Sequence, residues 1–285
     1  MWYGVLTLAS IMFGFMFFFK QIYKKNYDEV DYLKSMAVFN VGSGIIGLIS
    51  LLIINGFKFE YTHFTMIMAV INTINGMTFA YCSLKALGKI NLSLFSVLSM
   101  LGGMALPFVS GILFHGEPLT VGKTVCFIII TGALFLTVKK GDGKNEWIYY
   151  VGVFVCNGMA GVISKIYSAA DFEKASSAGY SILNSVLGLI FALAILIFKK
   201  PNLKKLNFKS IMGIFGSGIF NRVANWMVLV ALTYLPASSQ YPFITGGTMV
   251  VSTAIALITH QKPTKKEIAA VALSMVAMIA LTVLP

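Results

Sequence analysis

Apolar runs of about twenty residues follow one another along the chain, separated by short clusters of Lys, Gly, Asn and Pro. A helix needs about 20 apolar residues to cross the hydrocarbon core of a bilayer. The runs predict ten such helices, at 2–23, 32–54, 64–86, 91–114, 119–138, 147–168, 176–198, 210–234, 237–260 and 265–284. Several connectors hold fewer than six residues, so neighbours in sequence are expected to pack antiparallel. The longest polar connectors are Lys20 to Lys34, Lys139 to Glu146 and Lys199 to Lys209. The middle one, KKGDGKNE, falls almost at half-length. It reads as a linker (139–146) between two five-helix halves, 1–138 and 147–285.

Composition excludes a soluble chain: 58% of residues are AVILMFWYC and 11% are charged, against about 25% charge in soluble domains. Ten spans leave little of the 285 residues for an extramembrane domain, so function is expected within the lipid bilayer. The net charge of +12 comes from Lys in short connectors without interleaved aromatics, which argues against nucleic-acid binding and for topology and lipid-headgroup contact. Cys82, Cys126 and Cys156 stand in apolar stretches at unrelated spacings and read as buried free thiols. No phosphate loop, Ser/His/Asp set or metal-ligand spacing is present, so no cofactor, metal or catalytic residue is expected. Met1 to Phe19 lacks a basic leader and a small-residue cleavage site, and reads as a retained first span. The Lys-, Ile- and Asn-rich, Arg-poor composition suggests a bacterial plasma membrane.

Sliding the sequence on itself by 145 residues aligns 86–138 with 231–283 and gives ten identities, among them Gly102 with Gly247, His115 with His260 and Pro118 with Pro263. At an offset of 144, Gly14 meets Gly158. With five spans per half, the second copy must enter the membrane from the opposite side. Inverted repeats of this kind build many secondary transporters, with the substrate near the midplane between the copies. The predicted fold class is therefore an all-α polytopic membrane protein of ten transmembrane helices in two inverted five-helix repeats.

The segment Ala86-Leu87-Gly88-Lys89-Ile90-Asn91-Leu92-Ser93, followed by an apolar helix, Gly116-Glu117-Pro118-Leu119-Thr120 and Gly132, resembles the end of an EamA-type domain of the drug/metabolite transporter superfamily. Ala231-Leu232-Thr233-Tyr234-Leu235-Pro236-Ala237-Ser238 is similar to the matching place in a second copy. The first helix carries Phe13-Gly14 where the family usually has Trp-Gly, the second half carries Asn157-Gly158, and Gln261-Lys262 replaces Gly-Glu. The resemblance implies ten helices, with the first four of each half lining a central cavity and the fifth and tenth outside it.

Ionisable groups in the bilayer are costly and mark function. No carboxylate falls at mid-span, which argues against proton antiport through a buried acid. Arg222, the only arginine beside 21 lysines, lies about 12 residues, or roughly 18 Å, from either end of its predicted span. A guanidinium stays charged and binds carboxylate or phosphate bidentately. Helical spacing puts Asn225 and Trp226 on the Arg222 face, with Asn221 flanking. The corresponding first-half helix carries Asn72 and Asn75 at mid-span. Asn40, Asn157, Gln240 and Tyr241 are further candidates, although membrane amides also fasten helices together. His115 and His260 are expected to cap or bond at helix ends. Gly102-Gly103 and Gly246-Gly247 read as close packing or hinges.

These residues point to a secondary transporter of a small polar metabolite with an anionic group, an amino acid or organic acid, working by alternating access as a monomer or weak dimer. An exporter of hydrophobic drugs or organic cations is the alternative, favoured by 13% aromatics and opposed by the missing acid. An intramembrane enzyme or lipid flippase would need paired catalytic groups or an acidic site, neither of which is legible.

Overall fold

The computed structural model describes residues 2–27, 29–87, 92–137, 147–259 and 265–284. It contains ten α-helices: α1 Trp2–Asn26, α2 Tyr32–Ile54, α3 His63–Leu87, α4 Leu92–His115, α5 Val121–Thr137, α6 Trp147–Ala169, α7 Ser177–Lys199, α8 Phe208–Ala231, α9 Ala237–Ile258 and α10 Lys265–Val283. Among the described residues there is no strand. Seven helices are long and apolar enough to cross a membrane, and the described stretches Ser99–His115, Val121–Ala133 and Ile268–Leu281 are shorter apolar helices. Large apolar side chains such as Phe198, Ile258 and Ile279 are exposed on the outside, as a lipid-facing surface requires. The chain is a polytopic α-helical membrane protein.

The sequence-based bounds hold to within three residues at every described end, and the differences have local causes. α1 continues three residues past its predicted end, to Asn26, with Lys24 and Lys25 in its last turn, where cations favour the carbonyl end of a helix. α8 ends at Ala231, and Leu232–Leu235 form a turn ahead of Pro236, which precedes α9. The proposed linker 139–146 and His260 lie outside the described residues. His115 bonds at its helix end, Nδ1 lying 3.2 Å from the Ser110 carbonyl.

Alternating helix direction places the connectors 55–62, 116–120, 170–176 and 232–236 at one end of the bundle, with the ends of α10 and the start of α1. The connectors 27–31 and 200–207 lie at the other, lysine-rich end. α1 packs along α8 and α9, while α6 packs along α3 and α4. α2 lies against α7 and α8, α7 against α2 and α3, and α5 against α10. Exchanging the first five helices for the last five turns each of these pairings into another of them or, for α2–α7 and α5–α10, into itself.

Glycines set the closest crossings. At Gly102 an added Cβ would lie 2.0 Å from the Phe154 carbonyl oxygen, and at Gly158 it would lie 2.5 Å from that of Gly102, so α4 and α6 touch backbone to backbone. The α1–α9 crossing is built alike: Gly14 faces Val251, and Gly247 faces Ser10. These glycines are contact points, which is the close-packing use of small residues in membrane helices.

Candidate functional site

A cavity of about 400 Å³ runs between the two halves, walled by α1–α4 and α6–α9. Among the described residues α5 and α10 contribute nothing to its wall, and they pack on each other. The α7, α8 and α9 residues on the wall lie from mid-helix towards the connector end that holds Glu60 and Glu117. Those of α1, α2 and α4 lie from mid-helix towards the lysine-rich end.

Seven of the ten sequence-predicted site residues line this cavity: Arg222, Asn225, Asn221, Asn72, Tyr241, Asn157 and Asn40. Three do not. Asn75 turns away and donates to the Cys156 carbonyl at 2.8 Å, fastening α3 to α6. Gln240 is fully buried and its Nε2 donates to the Val228 carbonyl at 2.7 Å, fastening α9 to α8. Trp226 lies off the wall because α8 lines it with residues 221, 222, 225, 228 and 229. That face centres near Asn225, and at about 100° per residue Trp226 points roughly 100° from its middle.

Arg222 is seated against two glycines. A Cβ on Gly47 of α2 would fall 2.2 Å from Arg222 Cγ, and one on Gly188 of α7 would lie 3.9 Å from Nη2. The side chain therefore lies across the bare backbone of α2 and reaches α7. Among the described residues no hydrogen bond or ion pair satisfies the guanidinium, and no carboxylate lines the cavity. The nearby amides are spent elsewhere: Asn225 donates to the carbonyl and side-chain oxygens of Asn221, and Asn157 donates to the Ser99 carbonyl on α4. Asn184, also on the wall, accepts from Thr73 at 2.8 Å.

Lys20 is the wall residue the sequence reading missed. It stood at the start of a polar connector in that reading. The extension of α1 to Asn26 places it six residues inside the helix, with Nζ 6.0 Å from the Phe39 ring centroid on α2. Its position inside the apolar run 2–23 was the available signal.

The opposite end of the cavity is tied shut. Tyr180 stacks on Tyr167, with centroids 4.2 Å apart, and Tyr241 donates to the Gly161 carbonyl at 3.2 Å. In the α4–α5 connector, Glu117 pairs with Lys165 of α6 at 2.8 Å. Its two oxygens also accept from the backbone N–H groups of Ala237 and Ser238, both at 2.9 Å, at the start of α9. Burial would raise the Glu117 pKa, but the bonds from Lys165, Ser238 and Ala237 outweigh it and hold the carboxyl at about 2. Glu60 does the same for α7, accepting from the Ser176 N–H at 2.6 Å and its hydroxyl at 2.9 Å; that backbone bond leads the causes that lower its pKa.

The described helices thus enclose a central polar cavity, and at one end of the bundle Glu117 and Glu60 fasten the connectors to α6, α7 and α9. Residues 146–283 match the EamA-like transporter family, so the second half of the chain is similar to that family. A solved crystal structure of a protein 12% identical superposes with a TM-score of 0.72, covering 97% of this chain and 95% of that one. It shares the fold. No curated protein matches the sequence.

Proposed function

We propose that the protein is a secondary transporter of a small polar metabolite bearing an anionic group, an amino acid or organic acid, in a bacterial plasma membrane. The observation that carries this reading is Arg222, an unpartnered guanidinium on the wall of a cavity that has no carboxylate among its lining residues. A charge at mid-membrane without a counter-charge is costly, and an anionic substrate would supply one. The side-chain amides of Asn72 and Asn221, on the same wall, offer N–H donors around it. The alternative cargo, an organic cation, would meet only like charge.

Two observations support an inverted pair of repeats, 1–138 and 147–285, as the frame of alternating access. The helix pairings interconvert when the halves are exchanged, and the Gly102–Gly158 crossing has its counterpart at Gly247 and Gly14. In this reading the structure is one of two states, closed at the Glu117 end and open towards the lysine-rich end, with the transporter acting as a monomer or weak dimer.

The test is Arg222 itself. Arg222→Ala should abolish acid binding while folding stability is kept or improved, since a buried charge is removed. Arg222→Lys should lose most affinity, because an ammonium lacks the planar fork. Ligand affinity and melting temperature measured on both detergent-purified variants decide it, and unchanged affinity in Arg222→Ala sinks the binding role.

A further inference from the structure

The cavity holds a second cation besides Arg222. Lys20 is on the wall, and among the described residues it has no ion pair or hydrogen bond; its one contact of note is the Phe39 ring at 6.0 Å. Such a contact with an aromatic face is weak where the cation is hydrated and leaves the positive charge uncancelled. Two uncompensated cations thus face one polar space that contains no protein anion.

Their spacing follows from how α1 and α8 run past each other. Phe19 is opposite Gly216, where an added Cβ would lie 2.4 Å from the Phe19 ring, and Phe15 and Phe19 both stack on Phe220, with centroids 5.5 and 5.8 Å apart. Lys20 is therefore level with the turn around Gly216, and Arg222 lies six residues further along α8, a backbone offset of roughly 9 Å along the axis; the side chains keep them apart, Lys20 Nζ lying by Phe39 and the Arg222 stem by Gly47, eight residues further along α2. One carboxylate cannot bridge that separation, whereas a short chain with a carboxylate at each end can. Resting on the anionic-substrate reading above, we propose that the site selects small dicarboxylates, with Arg222 gripping one end bidentately and Lys20 pairing with the other. Lys20 is then the residue that sets specificity, since it separates diacids from the monoacids that Arg222 alone would accept.

The experiment uses the full chain purified in detergent, with melting temperature and calorimetric affinity measured for sodium salts at matched ionic strength: butyrate, alanine, malonate, succinate, glutarate and inorganic phosphate. Wild type is expected to bind succinate or glutarate at least tenfold more tightly than butyrate or alanine. In Lys20→Met the ratio of diacid to monoacid affinity should fall towards one, and in Lys20→Arg it should be retained. Arg222→Ala should lose both classes. A wild-type protein that binds butyrate as tightly as any diacid, or a Lys20→Met variant that keeps the full ratio, overturns the dicarboxylate proposal and leaves the Arg222 reading standing. Phosphate binding more tightly than every diacid overturns the separated-ends geometry. Binding of none of these anions to wild type defeats both readings together.

Discussion

Arg222 keeps its seat only because the residue facing it has no side chain. An alanine at Gly47 would put its Cβ 2.2 Å from Arg222 Cγ and 3.1 Å from the Gly218 carbonyl oxygen, so the arginine stem must leave its seat. At Gly188 the same methyl group would meet Nη2 at 3.9 Å, an ordinary contact. Gly47→Ala is therefore expected to weaken anion binding at least tenfold and to lower stability by the cost of overpacking, about 1–3 kcal/mol. Gly188→Ala should retain both properties. Affinities and melting temperatures of the two variants check this, and equal behaviour would show that α2 does not seat the arginine. The sequence made Arg222 legible because a lone mid-span guanidinium among lysines is chemically conspicuous. It could not sort the amides. A mid-span Asn or Gln must find a partner, but whether that partner is Cys156, Val228 or a substrate depends on helix rotation, and a shift of one residue turns a side chain by about 100°. Trp226, Asn75 and Gln240 left the wall for that reason.

The helices themselves were legible almost to their ends, because in a bilayer every backbone polar group must be paired within the helix and apolar runs bounded by polar residues leave few other solutions. The fastening between elements was not. Glu117 stands in a four-residue neighbourhood that reads only as the end of α4, yet its partners, Lys165, Ala237 and Ser238, are 48 to 121 residues away. Its carboxylate satisfies two N–H groups that a helix start leaves unpaired, at the end where negative charge is favoured. Glu117→Gln should lower the melting temperature at neutral pH by an amount that corresponds to roughly 3 kcal/mol, the cost of breaking a buried pair. The pH dependence follows from the depressed pKa. The contribution is fully present above the ordinary value of 4.5 and is lost as pH falls towards about 2. Wild type and Glu117→Gln should therefore differ by a constant amount from pH 8 to pH 5.5 and converge below pH 4.5. A difference that persists unchanged at pH 3 would mean that the carboxylate charge is not what ties α9 to α6.

Across the whole molecule, charge and cavity point to the same end. Counted over the connectors between the sequence-predicted helices, 17 of the 21 lysines fall in odd-numbered connectors and four, Lys58, Lys123, Lys165 and Lys174, in even-numbered ones. The structure refines that division: Lys20 turns into the cavity and Lys165 turns into the Glu117 pair, so neither is free to act on topology as a connector charge. Sixteen lysines still face three. By the positive-inside rule a bias of that size, with short connectors on both sides, predicts the lysine-rich end in the cytoplasm and both chain termini outside. The cavity, closed at the Glu117 end, would then open inward, and Lys20 would stand between the cytoplasm and Arg222, where a cation draws anions towards the deeper site. Single cysteines report this directly, because Cys82, Cys126 and Cys156 are buried. A membrane-impermeant maleimide added to intact cells should label Tyr61→Cys and Thr233→Cys, in the connectors at the terminal end, and should spare Leu203→Cys until the membrane is permeabilised. Labelling of Leu203→Cys in intact cells with protection of the other two would invert the molecule, make this an outward-open state, and require lysine-rich connectors on the outer face.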